Sequence, residues 1–401
     1  MTHCWQRDKL SAPDLMDNVM SLAPNPTLNI FRLFRNRQID LTEWLPGGSV
    51  YWFGMGRQAL FAALRALGVP KGGRVLIPAY QCPSALAPFL AYGVEPVFYD
   101  LNPRLEPDLA QLETLVRRFR PELLMVIHYY GFPVRKWAEI IELASQYHLT
   151  LLEDCAHALF SRHGQTPLGS WGHVSVFSLV KSLPVPAGGI LVLRNGVDGN
   201  RSLDLSATRN EWPGLLKLLL YELERFSPFS VRTVFRSMPV VDRQVRQRME
   251  TPPNGLDLCV PRPIGGWTYR IAERCDPSAI VQRRRENYLA ALSVLATTDE
   301  SLLQPLFPTL PDGVCPLGCP VQISSKRDEV LTRLWRRGIP VRAIWDRLPP
   351  TIREEEHPGT AYLRAHILVL PVHQGLHADQ VERVAEITLR EAKRVISRKG
   401  S

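Results

Sequence analysis

Two polar residues stand at the ends of apolar runs in this chain, and both are types that do covalent or electrostatic chemistry. Asp154 follows Leu149-Thr150-Leu151-Leu152-Glu153, and Lys181 closes the run Phe177-Ser178-Leu179-Val180-Lys181. In an open α/β sheet, ligands bind beyond the carboxyl ends of the strands. A carboxylate at such an end commonly does no more than cap the next helix. It also suits a heterocyclic nitrogen, because an Asp beside a pyridine ring keeps that nitrogen protonated and makes the ring an electron sink. A lysine after a strand is more often a solvated surface residue. Here Leu183-Pro184-Val185-Pro186 follows and predicts an apolar wall around it. A lysine desolvated in that way loses proton affinity and becomes a competent Schiff-base nucleophile.

A third signal is Gly54-Met55-Gly56-Arg57-Gln58, which opens a helical stripe of Leu60, Phe61, Leu64 and Leu67. Free N–H groups at a helix start, with the dipole behind them, attract a phosphate. The pattern is weak alone and is not the full dinucleotide fingerprint. Ser178 lies just before Lys181 and offers a hydroxyl to the same phosphate.

The elements that must position these residues alternate. Short apolar strands are expected at Arg74–Pro78, Val97–Tyr99, Leu123–Ile127, Leu149–Glu153, Val174–Leu179 and Ile190–Leu193. Helices fall between them, as at Asp108–Phe119. That rhythm predicts an α/β fold, a mostly parallel sheet covered by helices. Residues 1–48 read as an irregular leader and 49–196 as the large domain. Residues 197–268 form an insertion and linker that includes the leucine-rich piece GLLKLLLYELERF. Residues 269–401 form a smaller C-terminal α/β domain, with helices at Ser278–Ala296, Asp328–Arg337 and Asp379–Ile396 and a strand at Ile367–Pro371.

Bulk properties narrow the class. The chain has 401 residues, 45% of them hydrophobic and 22% charged, which fits two globular domains and excludes global disorder. The net charge of +9 is spread along the chain without a nucleic-acid motif, and it suits a solvated surface or phosphorylated ligands. Seven cysteines at irregular spacing fit free thiols in a reducing compartment. The start MTHCWQRDKL lacks a signal peptide's apolar region, so a cytoplasmic location is expected. His157, His163 and His173 with Cys155 are irregularly spaced, and no second pair follows Cys315 and Cys319, so no metal site is expected. The segment 214–237 packs on the body or a dimer, or lies on a membrane surface.

Taken in order, several segments resemble the DegT/StrS family of pyridoxal 5′-phosphate (PLP)-dependent aminotransferases, the sugar-aminotransferase branch of the aspartate aminotransferase fold (fold type I). They are GRQALFAALRALGVPKGGRVLIPAY, YGVEPVFYDL, VIHYYG, EDCAHA, FSLVKSLPVPAGG and ILVLPVHQGLHADQVERVAE. The resemblance implies that Lys181 bears the cofactor, that Asp154 partners its pyridine nitrogen, and that His157, usually Gln, meets the ring hydroxyl. It places Gly56, Arg57, Gln58 and Ser178 at the phosphate. The family's aromatic residue over the ring aligns with Cys82, with Tyr80 nearby, and either is a candidate. The family's Asp-Gly-Gly after the lysine is Ala187-Gly188-Gly189 here. Trp267-Thr268-Tyr269-Arg270 stands where the family has Tyr-Asn-Tyr-Arg, which implies that Thr268 reaches a neighbouring subunit's cofactor in a homodimer with composite sites. The implied activity is transfer of an amino group, from glutamate, to a nucleotide-linked keto-sugar in polysaccharide or natural-product biosynthesis. The rival readings are a PLP-dependent sugar dehydratase, which in this family carries histidine in place of the lysine, and a catalytically silent, membrane-associated homologue.

Overall fold

A strand whose every residue is apolar must be covered on both faces, and Leu123-Leu124-Met125-Val126-Ile127 is wholly buried in this way. The structure is a computed structural model that describes residues 26, 38–194, 196–197, 210–224, 259–296, 302–346 and 348–397. Its main sheet uses β1 (Ser49–Phe53), β2 (Arg74–Pro78), β3 (Glu95–Tyr99), β4 (Leu123–Ile127) and β5 (Thr150–Asp154). After a short hairpin, β6 (Arg162–His163) and β7 (Thr166–Pro167), it adds β8 (Val174–Ser178) and β9 (Gly189–Leu193). The seven strands are ordered β1-β9-β8-β5-β4-β2-β3. Pairing is parallel from β8 to β3, and β9 runs antiparallel to both its neighbours. The carboxyl ends of β1, β2, β3, β4, β5 and β8 therefore share one edge of the sheet. The expected mostly parallel α/β fold is the observed one.

The helices are α1 (Gly56–Ala66), α2 (Pro83–Tyr92), α3 (Leu109–Phe119), α4 (Trp137–Gln146), α5 (Leu179–Ser182) and α6 (Trp212–Glu224). Then come α7 (Gly266–Ala272), α8 (Pro277–Leu295), α9 (Arg327–Arg336), α10 (Pro358–His366) and α11 (Ala378–Ile396). Buried Ala59, Leu60, Ala62, Ala63 and Leu64 give α1 a small-residue face that packs closely on the sheet. The C-terminal part adds an antiparallel sheet, β10 (Leu303–Pro305), β11 (Gly318–Ile323) and β12 (Ile367–Pro371). Asp100, just past β3, reaches across to it. The Asp100 carboxylate accepts from Gly359 N at 2.7 Å, Thr360 N at 2.8 Å and Thr360 Oγ1 at 2.7 Å, and so caps α10.

The leader was expected to be irregular; apart from Pro26 its described part is 38–48, with a 3-10 turn at Leu41–Trp44. Leu41 and Leu45 are buried in a second apolar cluster with Leu179, Leu183 and Val185. The expected boundary at 268/269 falls inside α7, whose Ile271 and Ala272 belong to that same cluster. Of the leucine-rich segment, 212–224 is helical, and 225–237 lies outside the described residues. Among the described residues, no helix is long and apolar enough to cross a membrane.

Candidate active site

The shared strand edge gathers most of the residues singled out by the sequence. Asp154 is the last residue of β5 and is buried. No helix begins there: residues 155–161 are turns, and Asp154 Oδ1 accepts instead from Ala156 N at 2.8 Å. The helix-cap reading is thereby corrected. Burial raises the Asp154 carboxyl above the usual aspartate range, opposed chiefly by the positive charge of Lys181. The two residues are thus within electrostatic reach across the parallel β5–β8 pair.

Lys181 sits in α5, one short turn begun at Leu179 straight after Ser178 ends β8. The apolar wall is only partial. Leu183 and Val185 are buried beneath the turn, but Lys181 is half-buried and Val180 is exposed. The expected enclosure is corrected by this: Lys181 as a whole residue is half-buried, although Leu183 and Val185 are buried.

Close backbone approach shapes the phosphate end. The N-cap of α1 is Met55, with no side chain bonded across the helix start. A Cβ on Gly189 would fall 2.4 Å from Met55 C and 2.5 Å from Gly56 N. Gly188 adopts φ +117, where a Cβ would strike Leu179. Gly188 N also donates to Gly54 O at 2.8 Å. This is why the glycine pair stands here although the residue before it is Ala187. A Cβ on Gly56 would meet Ser178 Cβ at 3.5 Å, so helix start and Ser178 face one small space. Gln58 is buried with Oε1 unbonded beside Gly54, while half-buried Arg57 lies within electrostatic reach of the Cys259 thiol.

The ring end is aromatic. His157 is buried, and its Nδ1 accepts from Tyr130 N at 3.3 Å. Burial, and then the charge of Lys181, hold its pKa well below the usual histidine value, so the imidazole is neutral at physiological pH. Tyr80 is wholly buried, and its hydroxyl donates to Ile344 O at 3.2 Å and lies 3.4 Å from the Tyr130 hydroxyl. Burial pushes the Tyr80 phenol up to about 12. Cys82 is the N-cap of α2, with Sγ 2.9 Å from Ser84 Oγ.

Thr268 departs from the group. It is buried in α7, and both its amide and its hydroxyl donate to Glu211 of the same chain. No described bond ties it to the Asp154–Lys181 edge.

The structure adds residues that the sequence did not single out. Trp345 comes from the C-terminal part at φ +56 and stacks on His157 with ring centroids 5.3 Å apart and planes at 14°. It meets Tyr80 and Tyr129 edge-on at 4.9 and 5.6 Å. Tyr129 and Tyr130 follow β4, where the strand-end rule that found Asp154 applies equally. Gln81 follows β2, fully buried with both amide atoms unbonded. His128, Glu153 and Cys155 lie close enough to share a metal ion, yet the histidine and carboxylate atoms are engaged. His128 Nδ1 accepts from Val134 N, and Glu153 accepts from His128 Nε2, Gly169 N, Trp171 N and Gly172 N.

A buried carboxylate and a lysine meet electrostatically across parallel strand ends, beside a glycine-walled helix start. Comparison with known proteins shows what the chain is similar to. Residues 50–207 match the model of the DegT/DnrJ/EryC1/StrS aminotransferase family. GDP-perosamine synthase of Escherichia coli O157:H7 is 30% identical over 140 residues, covering 34% of this chain and 38% of that protein. UDP-N-acetyl-3-dehydro-alpha-D-glucosamine 3-aminotransferase of Acidithiobacillus ferrooxidans is 31% identical over 135 residues, 33% of this chain and 36% of that protein. The chain thus spans little more than a third of the length of these curated relatives. The crystal structure of the aminotransferase TlmJ from Streptoalloteichus hindustanus superposes with a TM-score of 0.65 at 23% identity, over 89% of this chain and 90% of that one. That likeness establishes the fold as fold type I.

Proposed function

We propose that the chain is a PLP-dependent aminotransferase acting on a nucleotide-linked keto-sugar, with an amino acid, glutamate by preference, as donor. The observation that carries this is the buried Asp154 facing Lys181 from the adjacent parallel strand. The donor set fits the cofactor: a carboxylate for a pyridinium, an amine for an aldehyde, and an uncapped helix start walled by Gly56, Gly188 and Gly189 for a phosphate. When bound, PLP supplies an electron sink for negative charge on the carbon bearing the amino group.

Each residue then has a task its surroundings support. Asp154 holds a proton on the ring nitrogen, and the low local dielectric strengthens that ion pair. Lys181 Nζ would hold the cofactor through its aldehyde and, once released from it, would be the base that moves the substrate's proton. The amides of Gly56, Arg57 and Gln58, with Ser178 Oγ, bind the phosphate. Neutral His157 serves the ring hydroxyl, and the aromatic wall of Tyr80, Tyr129 and Trp345 excludes water. Cys82 presents no ring, so Tyr80 is the better of the two stacking candidates. The nucleotide-sugar class is supported by the names of the relatives, and lysine at position 181 favours amino transfer over dehydration.

The working unit is a cytoplasmic homodimer. Val180, Trp212, Leu216, Trp267 and Tyr269 are large apolar side chains left exposed near the Lys181 turn and α7. Thr268 is the residue that the family likeness assigns to the partner's cofactor phosphate in that dimer. The test is a half-reaction screen: with amino donors the visible band of the bound cofactor gives way to the pyridoxamine band, and keto-sugar nucleotides reverse it. No spectral response to any donor, with cofactor bound, would favour the silent homologue.

A further inference from the structure

The carbonyl that follows Lys181 is held from outside its own domain. Ser182 O accepts from Arg284 Nη2 at 3.2 Å and from Gln374 Nε2 at 2.8 Å. Arg284 lies on α8 and Gln374 just past β12, so both donors come from the C-terminal part. Arg284 is 1% exposed, the largest fully buried side chain described. Its other bonds run from Nε to Gln374 Oε1 at 2.8 Å and from Nη1 to Pro316 O at 3.1 Å. All three acceptors are neutral oxygens. A guanidinium buried on carbonyls alone is a costly choice for packing, since apolar residues fill such a space with no desolvation penalty. What the fork does provide is geometry, three bonds fixed in one plane.

We infer that Arg284 and Gln374 are positioning residues that fix the Lys181 turn from the C-terminal domain. The inference rests on the reading of Lys181 as the cofactor-bearing lysine. The bracket extends to the far side of the ring site. Pro316 O anchors Arg284, and the next residue, Leu317, donates its amide to Tyr130 O at 2.8 Å. Tyr130 N in turn bonds His157. Backbone contact locks this link, because a Cβ on Gly131 would fall 2.3 Å from Cys315 O. One guanidinium therefore ties the lysine turn to the imidazole's support. Any shift of the C-terminal domain moves both together.

The experiment uses Gln374→Leu, Arg284→Lys and Arg284→Met in the full chain, with Arg283→Lys on the exposed side of the same helix as control. Gln374→Leu leaves the buried arginine in place and guards against simple failure to fold. In cofactor-free protein, hydrogen exchange at the Leu183 amide should quicken about tenfold in Gln374→Leu, while the amides of Val174–Ser178 keep their rates. In loaded enzyme kcat should fall about tenfold with KM within about twofold, since lysine placement acts on the proton transfer and not on substrate binding. Arg284→Lys should recover part of what Arg284→Met loses in both readouts, and Arg283→Lys should match wild type. Exchange that rises equally throughout the sheet, or an unchanged Leu183 amide, would overturn the positioning role. Failure of wild-type Lys181 to take the cofactor would instead refute the proposed function, and the cofactor-free exchange result would still decide the bracket.

Discussion

On one side of β5, Glu153 is wholly buried and accepts from His128 Nε2 at 2.8 Å and from the amides of Gly169 and Trp171 at 2.9 and 2.7 Å. On the other, the carboxylate of its neighbour Asp154 accepts only the Ala156 amide among the described residues and faces the charge of Lys181. Successive strand residues point to opposite faces, so one strand end builds both centres. The first is closed: the loop at 169–172 wraps the carboxylate and satisfies its oxygens, so removing that set of bonds would leave buried donors unpaired. The second is left open: the Asp154 carboxylate has one amide donor among the described residues, and Gln81, which follows β2, has both amide atoms buried and unbonded. Buried polar groups are normally satisfied, so open groups following strands of this sheet point to a ligand.

The comparison can be broken most severely at Lys181. Lys181→Ala should lower turnover by about 10⁴-fold or more in a steady-state assay while the fold, judged by circular dichroism, is unchanged. Next comes Asp154→Asn, expected to lower turnover by about 10³-fold, or roughly 4 kcal/mol, by weakening the electron sink. The same variant has an opposite effect on the cofactor-free fold. Because burial raises this carboxyl, the folded chain holds a proton that the unfolded chain has lost. Stability therefore falls as pH rises, over a window that opens near the ordinary aspartate value of about 3.9 and extends upward. Urea unfolding across that window should show the decline in wild type and a flatter profile in Asp154→Asn. Equal slopes would mean that Asp154 is not desolvated.

Glu153→Gln should reverse the pattern, with a loss of about 2–4 kcal/mol in stability and near-normal turnover per folded site. The smallest effect is expected at Trp345. Trp345→Ala should raise KM about tenfold with less change in kcat, and Trp345→Phe should restore most of it. A fall in kcat alone would place Trp345 outside the substrate wall.

Much of the open centre is legible in the sequence because it obeys a local rule, a polar residue straight after an apolar strand. Strands β4 and β12 are continuous apolar runs and are read with the bounds observed. Other elements hide behind ambiguous chemistry. Helix α2 carries Pro83 and Pro88, which read as breakers, and β11 is masked by its glycine, cysteine and proline. Trp345 sits in a loop with no strand or helix pattern, and only the docking of the C-terminal part brings it to His157. Arg284 is the middle of an arginine triplet, and nothing in that run reveals that this one is buried. The Thr268–Glu211 contact spans 57 positions, beyond any local pattern.

The account stands on Lys181 and Asp154 forming one cofactor site. Borohydride treatment of the PLP-loaded protein, followed by proteolysis and mass mapping, tests that most directly. The account predicts one labelled peptide containing Lys181, with labelling weakened in Asp154→Asn. Label on any other lysine, or none in protein shown to bind PLP, would contradict it.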